Sequence, residues 1–211
     1  HELREALMVR KFLVVFFLLG LLQGCLRQVK SNVAVFHSLP TAKTYGTVFL
    51  SGPNDEISNS LEFRSHSAVL GGKLAPLGFR VVDSIENADY LAVLSYAIDS
   101  GRQETSSYTM PQRGSTTSYV GGYAVTTDGG TGYKTVTDNT TVYTRQVALD
   151  IFDVRQSKDK PTKVYEARAT SQGTCGTVTG VLPHIVDAIL TDFPGTSGEA
   201  KKVSIEWNGK C

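Results

Sequence analysis

Cysteine carries the most versatile chemistry in this chain, since a thiolate can be acylated, oxidised to a disulfide or used as a nucleophile. Cys175 stands between Gly173-Thr174 and Gly176-Thr177, just ahead of an apolar-periodic segment. That context leaves two fates open: a thiolate activated at a helix N-terminus, or a structural cysteine. Other candidates are sparse. His37, His66 and His184 follow no His-x-x-x-His spacing, and the cysteines follow no Cys-x-x-Cys spacing, so no metal site is expected. Asp150 and Asp153, with Asp99 on a neighbouring strand, could serve as paired carboxylates; the plainer reading makes them edge and surface groups. No Gly-x-Ser-x-Gly elbow and no phosphate loop ending in Gly-Lys-Ser/Thr is present. Gly121-Gly122 and Gly129-Gly130-Thr131-Gly132 lack the buried strand before and the helix after that a dinucleotide loop requires. Neither a catalytic residue nor a cofactor is expected.

The third thiol, Cys25, has a different setting. Arg10 and Lys11 precede an apolar run from Phe12 to Leu22, and Gln23-Gly24 leads into the cysteine. A charged pair, a short apolar stretch and a small residue form an export signal. The run is too short to span a bilayer, which needs about 20 apolar residues. Leu22-Gln23-Gly24-Cys25 resembles the bacterial lipoprotein lipobox, with Gln23 where that pattern has a small or β-branched residue. The resemblance implies a cysteine that is acylated on sulfur, becomes the first residue after cleavage and anchors the protein to a membrane. Leu26 in place of aspartate implies delivery to the outer membrane, facing the periplasm. Residues 1–24 are then upstream residues and signal peptide, 25–31 a lipidated tether and 32–211 one folded domain.

An exported chain sits where disulfides persist, and with Cys25 acylated the pair left is Cys175 and Cys211. Their bridge would close 37 residues, worth about 3.5 to 4 kcal/mol in the chain-entropy picture. The opposing reading leaves Cys211 frayed and free. Without the signal the chain has 18 basic and 18 acidic residues, so no clustered basic surface for nucleic acid is expected.

The elements that must position these residues follow from spacing. Val33 to Phe36 and Tyr45 to Leu50 read as short strands. Asn54 or Asp55 caps a helix over about residues 56–75, with Ile57, Leu61, Ala68 and Ala75 on one stripe and Leu70, Leu74 and Leu77 nearby. Phe79 to Val82 is a strand, and Tyr90 to Ile98, apolar on both faces, a central strand covered on both sides. Val142 to Val154 alternates, with Val147, Leu149 and Ile151 on one face. Lys163 to Ser171 turns Tyr165, Ala167 and Ala169 inward. Val178, Val181, Leu182, Ile185, Ile189 and Phe193 form one helical stripe, starting near Thr179 so that Pro183 falls in the first turn. Val203 to Trp207 closes the order as a strand. The expected class is α+β: a mostly antiparallel sheet with two helices on one face.

Residues 101–140 break the pattern, with 14 Ser or Thr, seven Gly, four Tyr and six charges in 40 positions. Such a segment cannot bury a core of its own and reads as an elongated hairpin tip or mobile loop inserted in the domain. Tyr108, Tyr119, Tyr123 and Tyr133, interleaved with Arg102, Arg113 and Lys134, could bind a glycan or a protein, because tyrosine offers rigid contact area. The alternative is a solvated hairpin whose tyrosines pair across strands.

Leu74-Ala75-Pro76-Leu77-Gly78-Phe79-Arg80-Val81-Val82, followed by Asn87-Ala88-Asp89-Tyr90-Leu91-Ala92-Val93, resembles the Gly-Phe, strand, Ala-Asp-Tyr signature of the DUF4136 lipoproteins. Val164-Tyr165-Glu166-Ala167-Arg168-Ala169 and the ending Asp192-Phe193-Pro194 are similar to that family's second half, so the resemblance covers about residues 32–206. It implies an envelope lipoprotein with an α+β domain and no established catalytic residues. Two functions follow: a non-enzymatic binding or assembly protein with an envelope protein or glycan partner, or an envelope hydrolase acting on wall or lipid material. The first is the expectation.

Overall fold

The computed structural model describes residues 27–157 and 159–211. The signal stretch and the lipidation residue Cys25 lie outside the described residues. The chain runs β1 (Arg27–His37), β2 (Gly46–Ser51), α1 (Asp55–Ser58), α2 (Leu61–Leu74), β3 (Phe79–Val82), β4 (Tyr90–Ile98), β5 (Arg102–Val120), β6 (Tyr123–Asp153), β7 (Thr162–Gly173), α3 (Leu182–Leu190) and β8 (Glu199–Trp207). The spatial order is β3-β2-β4-β6-β7-β1-β8, and among the described residues β5 pairs with β6 off this path. Pairs from β4 through β8 are antiparallel, whereas β2 runs parallel to both β3 and β4. The class is α+β, with a parallel edge. That edge arises because α1 and α2 lie between β2 and β3, and a helical crossover returns the chain in the same direction.

Period-two burial defines the core. Val33 and Val35 on β1, Ala92 and Leu94 on β4, Val147, Leu149 and Ile151 on β6, and Tyr165, Ala167 and Ala169 on β7 are all buried on one sheet face. Upon it lie α2 and α3, whose Leu70, Leu74, Leu182, Ile185 and Ile189 are buried in the same cluster. The other face is open, and Leu91 and Val93 on it are half-buried. β4 is therefore central but covered on one side, correcting the expectation of two. Its apolar outer face is tempered by the antiparallel neighbour β6, which offers Asp150 and Phe152 opposite Val93 and Leu91.

One long helix was expected over 56–75; the structure breaks it at Asn59 and Ser60. Ser60 caps α2, its Oγ accepting from the Phe63 amide at 3.0 Å, an arrangement worth about 1 kcal/mol. The break separates Ile57 from the stripe of α2. The buried stripe is Phe63, His66, Leu70 and Leu74, while Leu61 is 79% exposed. Gly71 belongs to this interface, since a Cβ there would lie 3.1 Å from Val81 Cγ2.

The family-like segments converge on an aromatic knot. Phe79 stacks on Tyr45 at 4.8 Å and meets Tyr90 at 5.8 Å and Phe193 at 5.9 Å, and Phe193 meets Tyr165 at 5.0 Å. Gly78 is obligatory before Phe79: its φ is +98°, and a Cβ would lie 2.5 Å from the Lys43 carbonyl. Asp89 clasps β2 by accepting from the Thr47 amide at 2.8 Å and hydroxyl at 2.9 Å. These motifs build the fold.

Candidate functional site

Residues 101–140 form a regular two-stranded ribbon rather than an open loop. β5 and the first part of β6 pair continuously from Arg102 opposite Val142 to Val120 opposite Tyr123, with one irregularity between Arg113 and Ser115. A strand of 19 residues extends about 60 Å at about 3.3 Å per residue. Gly121 and Gly122 make the turn with φ of +61° and +86°, the two left-handed residues that a tight hairpin requires. Threonine and serine suit this ladder because their β-carbons and hydroxyls pack and pair across strands. Thr105 donates to Asn139 at 2.7 Å, and hydroxyl pairs join Thr117 to Thr126 and Ser107 to Thr137.

The five expected contact residues all lie here, distributed over both faces. Tyr108 is 53% exposed, and Tyr119, Tyr123 and Tyr133 are each more than three-quarters exposed. Alternation along β5 sets Arg113 and Tyr119 on one face, together with Tyr133, which is opposite Pro111; Tyr108, Met110 and Tyr123 take the other. None of the tyrosines pairs with another across the strands: their opposites are Val136, Ala124, Val120 and Pro111. The structure thus separates the group into two displays.

The root of the ribbon is rigidly built. β5 continues the line of β4 after a kink, where Asp99 Oδ1 accepts from the Gly101 amide at 3.0 Å and the Thr144 amide at 2.9 Å. Those bonds hold the exposed Asp99 carboxyl below its usual range, the Thr144 amide contributing most. Tyr143 packs tightly against the root, since a Cβ would come within 2.8 Å of its ring at Gly101 and 3.1 Å at Gly176. Beside Gly176, Cys175 is buried and disulfide-bonded to Cys211, with Cα atoms 5.6 Å apart.

The aspartates considered as a catalytic pair serve separate structural purposes. Asp150 lies on the open face beneath Arg168 and Lys163, at 2.6 and 3.0 Å. Burial pushes its carboxyl up, yet the hydrogen bonds from Arg168 and Lys163 outweigh that and hold it low. Asp153 pairs with Arg155, and Asp99 holds the ribbon root. The histidines are likewise dispersed. His66 is buried edge-on to Tyr96 at 4.8 Å, and His37 contacts the carbonyls of Leu39 and Gly195. Among the described residues no three metal-ligating side chains come together, and no helix is long and apolar enough to cross a membrane.

Three buried polar residues escaped the sequence reading: Arg145, Ser171 and Ser31, each 2% exposed. They were findable in part. Arg145 falls in phase with Val147, Leu149 and Ile151, so alternation alone places it on the core face.

No curated protein matches the sequence. Among solved structures, the chain is similar to a PDZ domain protein from Parabacteroides distasonis at 12% identity and TM-score 0.45, over 86% of this chain and 40% of that one. It thus spans less than half of that protein. It is also similar to a PelC dodecamer from Paraburkholderia phytofirmans, at 12% identity and TM-score 0.40 over 76% of this chain and 95% of that one. Residues 33–195, from β1 to the end of the aromatic knot, match the domain of unknown function DUF4136, and the chain belongs to that family.

Proposed function

We propose that this protein is a lipid-anchored component of the cell envelope that acts by binding, its ribbon being the arm that reaches an envelope protein or glycan. The observation that carries the reading is the ribbon itself. It projects beyond the sheet with Tyr108, Tyr119, Tyr123, Tyr133 and Met110 about half or more exposed, and among the described residues it pairs with no third strand. Isolated two-stranded ribbons are marginal in water, and large tyrosine surfaces left in solvent mark interaction sites. The anchor at Cys25 is supported by the signal-like stretch ahead of it, and delivery to the outer membrane, facing the periplasm, by Leu26 in place of aspartate. The hydrolase alternative gains no support from the separated carboxylates and histidines.

Photo-crosslinking in intact envelopes tests this. A benzoylphenylalanine placed at Tyr119, Tyr123 or Tyr133 should give discrete adducts, and one at the equally exposed Leu61 on α2 should not. Protease sensitivity of the adducts would indicate a protein partner, and sensitivity to glycan-degrading enzymes a glycan. Equal labelling at Leu61 and the ribbon, or none at the ribbon, overturns the reading.

A further inference from the structure

The core face of the sheet carries apolar rows such as Val147, Ala169 and Val33, but one row nearer the ribbon β6, β7 and β1 place Arg145 opposite Ser171 and Ser171 opposite Ser31. All three are 2% exposed, and Arg145 Nε and Nη2 and both serine hydroxyls have no hydrogen-bond partner. Four orphaned polar atoms in one row are unusual, because each buried group without a partner opposes folding and a guanidinium keeps its charge. Burial pushes the Arg145 guanidinium down, and Asp99 is the group that counters it. Asp99 is itself engaged by two backbone amides on the surface.

The local backbone is fitted to the guanidinium. Gly173, one core-face row along β7 from Ser171, lies so close that a Cβ there would sit 2.7 Å from Arg145 Nη2, so glycine is what lets the fork lie over β7. Neighbouring strands are about 4.8 Å apart, which puts Ser31 one strand beyond Ser171. The buried Cys175, Val178 and Val181 of the turn before α3 belong to the same core.

We propose that Arg145, Ser171 and Ser31 form a buried receptor for one small oxyanion, a phosphate or a carboxylate. The donor set fits that class. A planar guanidinium presents two parallel N–H groups to two oxygens on one centre, and the serine hydroxyls supply donors for the remaining oxygens. A neutral ligand would leave the buried charge uncompensated, and a metal cation would be repelled by it. The site lies within two residues of Tyr143 at the ribbon root, so its occupancy bears on how firmly the arm is held. The inference stands independently of what the arm binds.

The test uses the full chain in detergent at constant ionic strength, with sodium chloride replaced stepwise by inorganic phosphate or by acetate. Thermal melting and the Arg145 side-chain Nε–H resonance are followed together. Phosphate or acetate should raise the melting temperature and shift that resonance with the same saturation curve. A response to phosphate alone assigns a phosphoryl group, to acetate alone a carboxylate, and to both the shared oxyanion chemistry. Arg145→Met should raise the half-saturating concentration at least tenfold. Should that variant fail to fold, the Ser31→Ala, Ser171→Ala double variant decides, with an expected weakening of threefold or more. If neither anion differs from chloride, or if the variants respond as the parent does, water alone satisfies the row and the proposal is overturned.

Discussion

β6 passes through two environments, and the contrast between its halves describes the molecule. From Tyr143 onward it is sandwiched between β4 and β7 beneath α3, and Val147, Leu149 and Ile151 are at most 2% exposed. Before Tyr143 its partner among the described residues is β5, and Tyr123 and Tyr133 stand more than three-quarters exposed. The backbone alternates identically in both halves. What differs is whether anything lies on a face: in the body each buried apolar side chain contributes about 1.5 to 3 kcal/mol, whereas in the ribbon each cross-strand pair adds about 0.2 to 1 kcal/mol. Stability should therefore reside in the body, and the ribbon should be energetically separable from it.

The largest effect is expected at the aromatic knot. Phe79 is 3% exposed and touches three other rings, so Phe79→Ala should cost about 3 to 5 kcal/mol. Urea unfolding of the parent and variant measures it. A cost below 1 kcal/mol would show that the body is not held from this centre.

Next comes the bridge that ties the chain's end to the turn before α3. Replacing Cys175 and Cys211 together by alanine should lower stability by about 3.5 to 4 kcal/mol in the chain-entropy picture. The parent, unreduced and denatured, should show neither of these thiols to a thiol reagent. Titration of both would leave the turn, and with it the Tyr143 contact, unstapled.

The clasp of β2 is smaller in effect and depends on pH. Asp89 is held below its ordinary value, first by the Thr47 amide and then by the Thr47 hydroxyl. A lowered folded-state pKa makes the contribution complete above the unfolded value of about 3.9 and progressively lost as pH falls through the folded one. Asp89→Asn should cost about 1.5 to 3 kcal/mol at pH 6. The gap between parent and variant should close as the pH approaches 2, and unfolding midpoints at pH 6, 4 and 2 trace it. A gap that stays constant or widens in acid would mean the charge is not what Thr47 recognises.

What was legible in the sequence follows the same division. Tyr165, Ala167 and Ala169, and the stripe from Val178 to Ile189, could be placed because a covered face imposes a period on the residues facing it. The α2 stripe was misplaced because Leu61 and Ala68 lie on the solvent side of the same helix, and the buried stripe runs through His66, a polar residue that hydropathy does not count with Phe63, Leu70 and Leu74. The hairpin reading of residues 101–140 holds over the mobile loop, but nothing in the composition could choose between them. No face of the ribbon is buried, so its regularity resides in ladder bonds and Thr–Thr pairs that leave no hydropathy signature. The contact residues Tyr108, Arg113, Tyr119, Tyr123 and Tyr133 were gathered by composition, and only the register reveals that they divide between two faces. Ser31 and Ser171 fall in phase with Val33 and Val35 and with Tyr165, Ala167 and Ala169, as Arg145 does with Val147, but their residue type does not announce burial, because serine is equally at home on an exposed strand.

The smallest effect on stability should come from the largest deletion. Replacing residues 104–138 by a short Gly-containing turn removes most of the ribbon but leaves the root, where Asp99 binds Gly101 and Thr144 and Tyr143 packs against Gly176. The deleted part contributes none of the buried apolar residues of the core. A shorter loop between β4 and β6 also lowers the entropy of closure, by only about 0.6 kcal/mol per halving of length. Denaturant unfolding should consequently place the deletion within about 1 to 2 kcal/mol of the parent. Adduct formation with the envelope partner, probed from positions that survive near the root, should at the same time be lost. If the deletion unfolds the domain, the ribbon is part of what holds the sheet together and the division drawn from β6 fails; if the fold survives and the adducts persist, the partner is held by the body.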